Sequence, residues 1–161
     1  MQAFEDKYSK LGQSSSAANT ENTQDLTSQR LALIEKHNQA FNNKDFNSVH
    51  EIMDPNVYAS TGDGTDVTGP TSYIQMLKIG QQISPDTRII KTEASYGCGD
   101  WTTTTSVMEG TFTGRMPAPT GWVEPTGKKW QNRLCVLAKW RGLKIIEEYS
   151  YWETSMTKAM S

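Results

Sequence analysis

The chain has 161 residues, a length typical of one domain and too short for two full-sized ones. Its formal net charge is −2 and its basic residues are scattered, so it lacks the basic surface that neutralises a phosphate backbone, and we expect no nucleic-acid partner. Hydrophobic residues make up 35% and aromatic residues 9%, which excludes a fully disordered chain. No stretch approaches the roughly 18 apolar residues of a membrane-spanning helix, so we expect no membrane contact. Without a recognisable leader, a cytoplasmic location is expected, and export of a processed form stays open.

The cysteines and histidines do not form a metal-binding pattern. Cys98 and Cys135 lie outside any zinc-ligand spacing, and we expect both to be reduced and buried, with a disulfide between neighbouring strands as the alternative. His37 and His50 lie on apolar helix stripes rather than in a ligand pair. We therefore expect no metal and no cofactor. His50 is a candidate pocket residue, and an ordinary hydrogen-bonded histidine is its alternative.

The N-terminal segment differs in composition from the rest of the chain. Residues 1–24 contain the small, polar stretch Gln13 to Thr20, which has no helical or strand periodicity and predicts a flexible tail that precedes a domain over residues 25–161. In this domain apolar residues recur at helical spacing from Leu26 to Phe41, which predicts the first helix.

Two shorter helices and a sheet are predicted to follow. Asp45 is expected to cap a second helix that Pro55 ends, and Thr71 to cap a third that runs to about Ile83. Alternation then predicts strands, in addition to a short one over Asn56–Ser60, at 87–97, 101–112, 129–140 and 143–152. The long loop over 114–127 is a predicted lid. Helices followed by strands predict an α+β fold, with three N-terminal helices on one face of a curved antiparallel sheet.

The last predicted strand carries the acidic residues that are best suited to catalysis. Strict alternation places Glu147, Tyr149, Tyr151 and Glu153 on its more apolar face, which should point toward the helices. Burial there would raise the pKa of a carboxyl group, as a general base requires, and Glu153 is the best candidate. In the alternative, Glu147 pairs with a basic residue across the sheet and Glu153 ends the strand in water.

The preceding strand should contribute an amide and two large rings. Alternation places Trp130, Asn132 and Trp140 on the inner face. A buried Asn132 needs a partner, either an oxygen of a ligand or neighbouring backbone.

Four short stretches resemble the SnoaL-like polyketide cyclase branch of the NTF2-like superfamily. In chain order they are Phe41-Asn42-Asn43-Lys44-Asp45-Phe46; Gly69 to Leu77 with Ser84-Pro85-Asp86; Glu109 to Gly114 with Pro125 to Lys129; and Lys144 to Tyr149 with Tyr151-Trp152-Glu153. Together they span about residues 28–160.

The resemblance implies a cone-like α+β fold that encloses an apolar pocket, usually in a homodimer. It also implies the chemistry of the enzymes in this family, which is cofactor-independent acid/base chemistry in which an acidic residue near the end of the last strand takes a proton from carbon. Glu153 matches that position, where Asp is more usual. Two positions that often hold histidine are occupied here by Ser60-Thr61 and by Glu148.

Together these observations predict a cyclase or isomerase that acts on an apolar, polyketide-like molecule with a carbonyl group. Glu153 would be the base, and Asn132 and Tyr149 would orient an enolate oxygen. The expected pocket lining is His50, Trp130, Trp140, Tyr151 and Glu147. The alternative is a non-catalytic domain that binds a hydrophobic ligand or mediates dimerisation. Epoxide hydrolysis would need an Asp-Arg-Asp arrangement, and the predicted strands contain no inward Asp.

Overall fold

The computed structural model describes residues 16–153, with side chains from residue 24 onward. The helices in this range are α1 (Ser16–Asn42), α2 (Phe46–Glu51) and α3 (Pro70–Ile83). The strands are β1 (Met53–Thr61), β2 (Asp66–Thr68), β3 (Arg88–Cys98), β4 (Trp101–Thr111), β5 (Met116–Ala118), β6 (Gly121–Val123), β7 (Lys129–Arg141) and β8 (Lys144–Trp152). Across this described range, each helix falls short of the length or apolar character needed to cross a membrane.

The first helix begins earlier than its apolar pattern predicts. α1 starts at Ser16 rather than near Leu26, because an established helix extends at the cost of fixing one residue per added hydrogen bond and needs no apolar stripe to do so. Residues 1–15 lie outside the described residues. The flexible tail over 1–24 and the domain boundary at residue 25 stay predictions.

The second helix is capped as predicted but ends sooner. Asp45 Oδ1 accepts a 3.2 Å hydrogen bond from the backbone N–H of Ser48, and the helix ends at Glu51. Pro55, expected to end that helix, lies inside β1. It lies where the pairing of β1 with β8 is irregular, between Met53 and Tyr58, and a residue without an N–H is tolerated at such a break.

The main sheet is mixed rather than antiparallel. Its strand order is β2-β1-β8-β7-β4-β3, and every neighbouring pair is antiparallel except β1 and β8, which run parallel. Parallel neighbours need a long connection, and β1 and β8 are joined through most of the domain. The prediction of an antiparallel sheet was therefore wrong at this one pairing.

A β-bulge in β8 decides which side chains face the helices. Trp140 is paired with Ile145, and the preceding residue of β7 is paired with Glu147. Ile146 is therefore an extra residue, and beyond it the alternation of faces changes phase. As a result Ile145 and Glu148 are both buried, at 0% and 4% exposure.

The helices cover one face of the sheet, here called the inner face, and the uncovered face is called the outer face. The main core between the helices and the inner face includes Ile34, Phe41, Val49, Val57, Tyr73, Trp140 and Ile145. A smaller core at the far end of the sheet contains Ile83, Phe112 and Trp130.

The predicted lid segment folds into a short hairpin of β5 and β6. Its entry passes so close to the end of α3 that a Cβ on Gly114 would lie 1.8 Å from the carbonyl oxygen of Gln82. Met116 and Val123 pack against the smaller core. Movement of this hairpin as a lid stays a prediction.

Candidate active site

Glu153, the predicted base, is outside the buried core. Its side chain is 58% exposed, and its carboxylate lies 3.8 Å from the guanidinium of Arg133. The predicted desolvated setting is wrong, because the bulge at Ile146 moves the odd-numbered residues that follow it to the outer face. The structure therefore supports the alternative in which Glu153 ends the strand in water.

Glu147 and Tyr149 also lie on the outer face. Lys139 Nζ donates a 2.8 Å hydrogen bond to Glu147, and the Tyr149 hydroxyl donates one of 3.0 Å to the same carboxylate. The bond from Lys139 is the main cause that holds the pKa of Glu147 below its ordinary value. This is the cross-sheet ion pair that the sequence left open as an alternative to catalysis.

The tryptophans and Asn132 lie on the inner face, as predicted, but not around one pocket. Asn132 is 3% exposed. Trp130 donates a 3.0 Å hydrogen bond to Ser84 in the smaller core, whereas Trp140 donates one of 2.9 Å to Thr102 in the main core. Ten residues of extended strand place the two tryptophans roughly 33 Å apart along the backbone. They cannot be walls of a single small-molecule site.

The remaining predicted pocket residues are exposed. Tyr151 is 52% exposed on the outer face, because it follows the same bulge as Glu153. His50 is exposed on α2, where Val49 is the residue that packs inward. Neither residue lines the interior.

The sequence predicted Glu153 as the buried carboxylate, but the structure has Glu148 in the interior instead. The Tyr73 hydroxyl donates a buried 2.7 Å hydrogen bond to Glu148 Oε1. Both residues are nearly inaccessible, at 3% and 4% exposure. A carboxylate on β8 and a phenol on α3 therefore meet between the two layers of the fold.

Burial changes the acidity of both groups. It raises the pKa of Glu148 to about 7, against opposing hydrogen bonds from Tyr73 and Ser150. It also raises the pKa of Tyr73 well above its ordinary value, and the charge of Glu148 adds to that effect. Near neutral pH, Glu148 therefore exchanges between its acid and base forms while Tyr73 stays protonated.

Local structure explains how the two groups come together. Gly69, which precedes α3, donates a 2.7 Å backbone hydrogen bond to Val57 of β1, so the start of α3 is attached to the strand beside β8. Glu148 itself is flanked on the sheet by Ala59 of β1 and Ala138 of β7. Because both neighbours are alanines, only small side chains flank the carboxylate on the inner face.

His37 adds a third polar group next to this pair. Its ring centroid lies 6.4 Å from that of Tyr73, at an interplanar angle of 56°. The Nε2 atom is buried and has no hydrogen-bond partner in the described part of the chain. Burial lowers the pKa of His37 to about 4, against an opposing hydrogen bond with the Asn38 side chain. The imidazole is therefore neutral at pH 7.

Two open depressions lie elsewhere on the surface. A cleft of about 520 Å³ at the Trp130 end of the sheet is lined largely by polar and charged residues, among them Lys44, Asp86, Arg88, Glu109 and Lys129. A shallower one of about 220 Å³ lies on the outer face beside Arg133, Tyr151 and Glu153. Neither is the enclosed apolar pocket, which stays a prediction.

The cysteines differ from expectation in their burial. Both are free; Cys98 is exposed and Cys135 is half-buried. β4 lies between the two strands that carry them, so they are not on neighbouring strands. Among the residues the structure describes, no group of three His, Cys, Asp or Glu side chains is arranged to hold a metal ion.

Sequence reasoning did not single out Glu148, Tyr73 and His37 as neighbours inside the fold. The available signal was the adjacent pair Ile145-Ile146, because two neighbouring apolar residues in an alternating strand are compatible with a bulge. The placement of Glu148 at a position that often holds histidine in the resembling family pointed to the same residue.

The sequence model of a known family matches residues 32–159, and that family is described as SnoaL-like polyketide cyclase. The chain belongs to this family. The predicted resemblance is thereby confirmed over most of the domain. No curated protein is similar enough in sequence to count as a match.

Solved structures share the fold at low sequence identity. A proposed polyketide cyclase from Xanthomonas campestris pv. campestris is 14% identical, with a TM-score of 0.73 over 84% of this chain and 99% of its own. AclR, a proposed hydroxylase from Streptomyces galilaeus, is 16% identical, with a TM-score of 0.71 over 83% and 82%. A protein with a ketosteroid isomerase-like fold from Catenulispora acidiphila is 15% identical, with a TM-score of 0.66 over 80% and 91%. The chain therefore has the NTF2-like, ketosteroid isomerase-like fold with a curved mixed sheet.

Proposed function

We propose that this SnoaL-like protein is a cofactor-independent acid/base enzyme of the cyclase or isomerase type, with Glu148 as its base. One observation carries the proposal: a carboxyl group inside the fold whose pKa is raised to about 7 and which a 2.7 Å hydrogen bond from Tyr73 holds in place. A general base is most effective when its pKa lies near the working pH.

The proposed step removes a proton from carbon. The Glu148 carboxylate takes a proton from a carbon next to a carbonyl group, and the electron pair of the broken C–H bond forms the enolate. In an isomerase the protonated carboxyl then returns the proton to a different carbon. In a cyclase the enolate carbon instead attacks a second carbonyl group of the same molecule, whose oxygen takes up the proton.

Tyr73 supports this chemistry by position rather than by proton transfer. Its raised pKa keeps the phenol protonated, so it continues to donate to Glu148 and fixes the direction of the carboxylate. Ser150 contributes a second hydrogen bond to the same group. Because Ala59 and Ala138 flank Glu148, we propose that the substrate is an apolar, carbonyl-bearing molecule whose acidic carbon approaches between these small side chains.

The experiment compares two adjacent glutamates on opposite faces of one strand. The probe is 2-tetralone, an apolar ketone, in D₂O, and the measurement is the rate at which deuterium replaces its α-protons by NMR. We expect the wild-type protein to accelerate exchange, Glu148→Gln to abolish the acceleration, and Glu147→Gln and Glu153→Gln to retain it.

The opposite result assigns the site elsewhere. Acceleration that survives in Glu148→Gln and disappears in Glu153→Gln would restore the base at the end of the strand. A wild-type protein that binds 2-tetralone without accelerating exchange would favour a hydrophobic-ligand-binding domain. One observation favours a non-catalytic domain of this kind: the Tyr73–Glu148 hydrogen bond is buried, as in a contact that only stabilises the fold.

A further inference from the structure

His37 leaves a buried ring nitrogen without a partner. Nε2 is the buried side-chain polar atom for which no hydrogen bond is found among the described residues. Such atoms are rare because each loses its hydration without compensation. The ring lies against Tyr73, whose hydroxyl contacts Glu148. The unsatisfied atom is therefore part of a ring that packs beside Tyr73, the residue that holds the candidate base.

The chemistry of the ring sets the direction of the missing hydrogen bond. A hydrogen bond with the Asn38 side chain favours the protonated form of His37, as is expected where an amide oxygen accepts from a ring N–H. Because Nε2 has no partner, we assign this N–H to Nδ1. A neutral imidazole carries one hydrogen on its two nitrogens, so with Nδ1 protonated Nε2 presents a lone pair and requires a donor.

The two hydroxyl groups that contact Glu148 do not supply this donor. The only hydroxyl hydrogen of Tyr73 is donated to Glu148, and the Ser150 hydroxyl also serves that carboxylate. We propose that Nε2 of His37 accepts a hydrogen bond from a hydroxyl group of the bound molecule. This inference rests on the proposed function for the position of the site, and it adds a requirement on the ligand: a phenolic or enolic O–H next to the part that Glu148 deprotonates.

The first test measures binding of two ligands that differ in one donor. 2-Naphthol and 2-fluoronaphthalene have nearly the same size and apolar surface, but only the naphthol donates a hydrogen bond. Titration calorimetry at pH 7.5, where His37 is neutral, should show a five- to tenfold preference of the wild-type protein for 2-naphthol, as one net hydrogen bond supports.

Substitutions at His37 assign the preference to its ring nitrogen. His37→Phe keeps a ring of similar volume but removes the acceptor, and we expect it to bind both ligands equally. His37→Gln places an amide oxygen at about the reach of Nε2 and should restore part of the preference. Thermal unfolding of both variants checks that the fold is retained. A preference unchanged in His37→Phe, or a wild-type protein that does not discriminate between the ligands, overturns the inference and leaves a bound water as the donor.

The second test needs no ligand and applies to the free protein. Long-range ¹⁵N–¹H correlation spectra distinguish the two neutral tautomers of histidine. We expect His37 to carry its hydrogen on Nδ1, and Asn38→Leu to redistribute it toward Nε2. A wild-type ring protonated on Nε2 would make that atom a donor and overturn the assignment.

These measurements separate this inference from the proposed catalysis. Glu148→Gln should lose deuterium exchange but keep the hydroxyl preference, because the substitution leaves His37 in place. If exchange depends on Glu148 while the preference survives in His37→Phe, only the inference on His37 fails. If the preference depends on His37 but no exchange is ever accelerated, the ligand contact stands and the catalytic proposal fails.

Discussion

The hydroxyl of Tyr73 donates a 2.7 Å hydrogen bond to a carboxylate 75 residues later in the chain, that of Glu148. The bond connects α3 to the central strand β8 in the interior of the fold. It also places a protonated phenol beside a group whose pKa is raised to about 7. Stability and the proposed chemistry therefore depend on the same contact.

Removal of the phenol hydroxyl should weaken the fold and make Glu148 a weaker acid. Tyr73→Phe deletes the donor but leaves the carboxyl group buried, so we expect a loss of about 1–3 kcal/mol in the free energy of unfolding. Because this hydrogen bond lowers the pKa of Glu148, its loss should raise that pKa further. Urea unfolding at pH 7.5 and ¹³C NMR titration of the carboxyl group measure the two effects.

Tyr149→Phe is the matched control, since its hydroxyl also donates to a glutamate, the partly exposed Glu147. On that face water replaces the lost partner, and we expect a change below about 1 kcal/mol. Equal losses in the two variants would contradict the distinction between the buried and the outer contact.

Stability should depend on pH through two side chains, Glu148 and His37, whose pKa values shift in opposite directions. The pKa of Glu148 is raised from 4.5 to about 7, so its stabilising effect is complete below pH 4.5 and is lost as the pH rises to about 7. The pKa of His37 is lowered from 6.5 to about 4, so its effect is complete above pH 6.5 and is lost as the pH falls. Between pH 4.5 and 6.5 the two contributions to the free energy of unfolding oppose each other. With rising pH the Glu148 contribution falls and the His37 contribution rises, each by up to about 1.4 kcal/mol per pH unit.

Single variants separate these contributions. Relative to the wild-type protein, the free energy of unfolding of Glu148→Gln should rise with pH between 4.5 and 6.5, whereas that of His37→Phe should fall. Denaturant unfolding at half-unit pH intervals measures the difference. Parallel curves for the wild type and both variants would show that neither group has the acidity described above.

Gly114 lies so close to α3 that the position should tolerate no side chain. A Cβ at this position would lie 1.8 Å from the Gln82 carbonyl oxygen, so Gly114→Ala must displace backbone and should cost more than about 2 kcal/mol. Gly80→Ala is the control, because its Cβ would meet nothing within 4 Å and alanine favours a helix interior by about 0.5–1 kcal/mol. Thermal unfolding should therefore shift in opposite directions, and a stable Gly114→Ala protein would contradict the observed approach.

We predict a homodimer that pairs through the outer face of the sheet. This face carries the charged Arg133 together with the exposed rings of Trp101 and Tyr151, at 37% and 52% exposure. A mixture of charged and aromatic side chains is typical of protein interfaces. Sedimentation velocity at micromolar concentration should give a dimer, and Tyr151→Lys should weaken it. A monomer in the wild-type protein would overturn the prediction.

Local patterns in the sequence determined the four long strands of the sheet and the cap of the second helix. Asp45 caps α2 as predicted, and β3, β4, β7 and β8 match the predicted strands to within a residue or two. The facing of β7 also followed, because strict alternation holds between Trp130 and Trp140. These features depend on neighbouring residues and on backbone geometry, which a single sequence displays directly.

Tertiary structure alone decided which carboxylate lies inside. One extra residue at Ile146 changes the phase of β8, so Glu148 is buried and Glu153 is exposed. The bulge lies in the pairing of β8 with the preceding strand β7, and its energetic benefit is the packing of Ile145 in the main core and the hydrogen bond between Tyr73 and Glu148. The sequence named the family and the class of chemistry, but the partner strand and a helix 75 residues away selected the residue, because burial and hydrogen bonding are properties of the assembled layers.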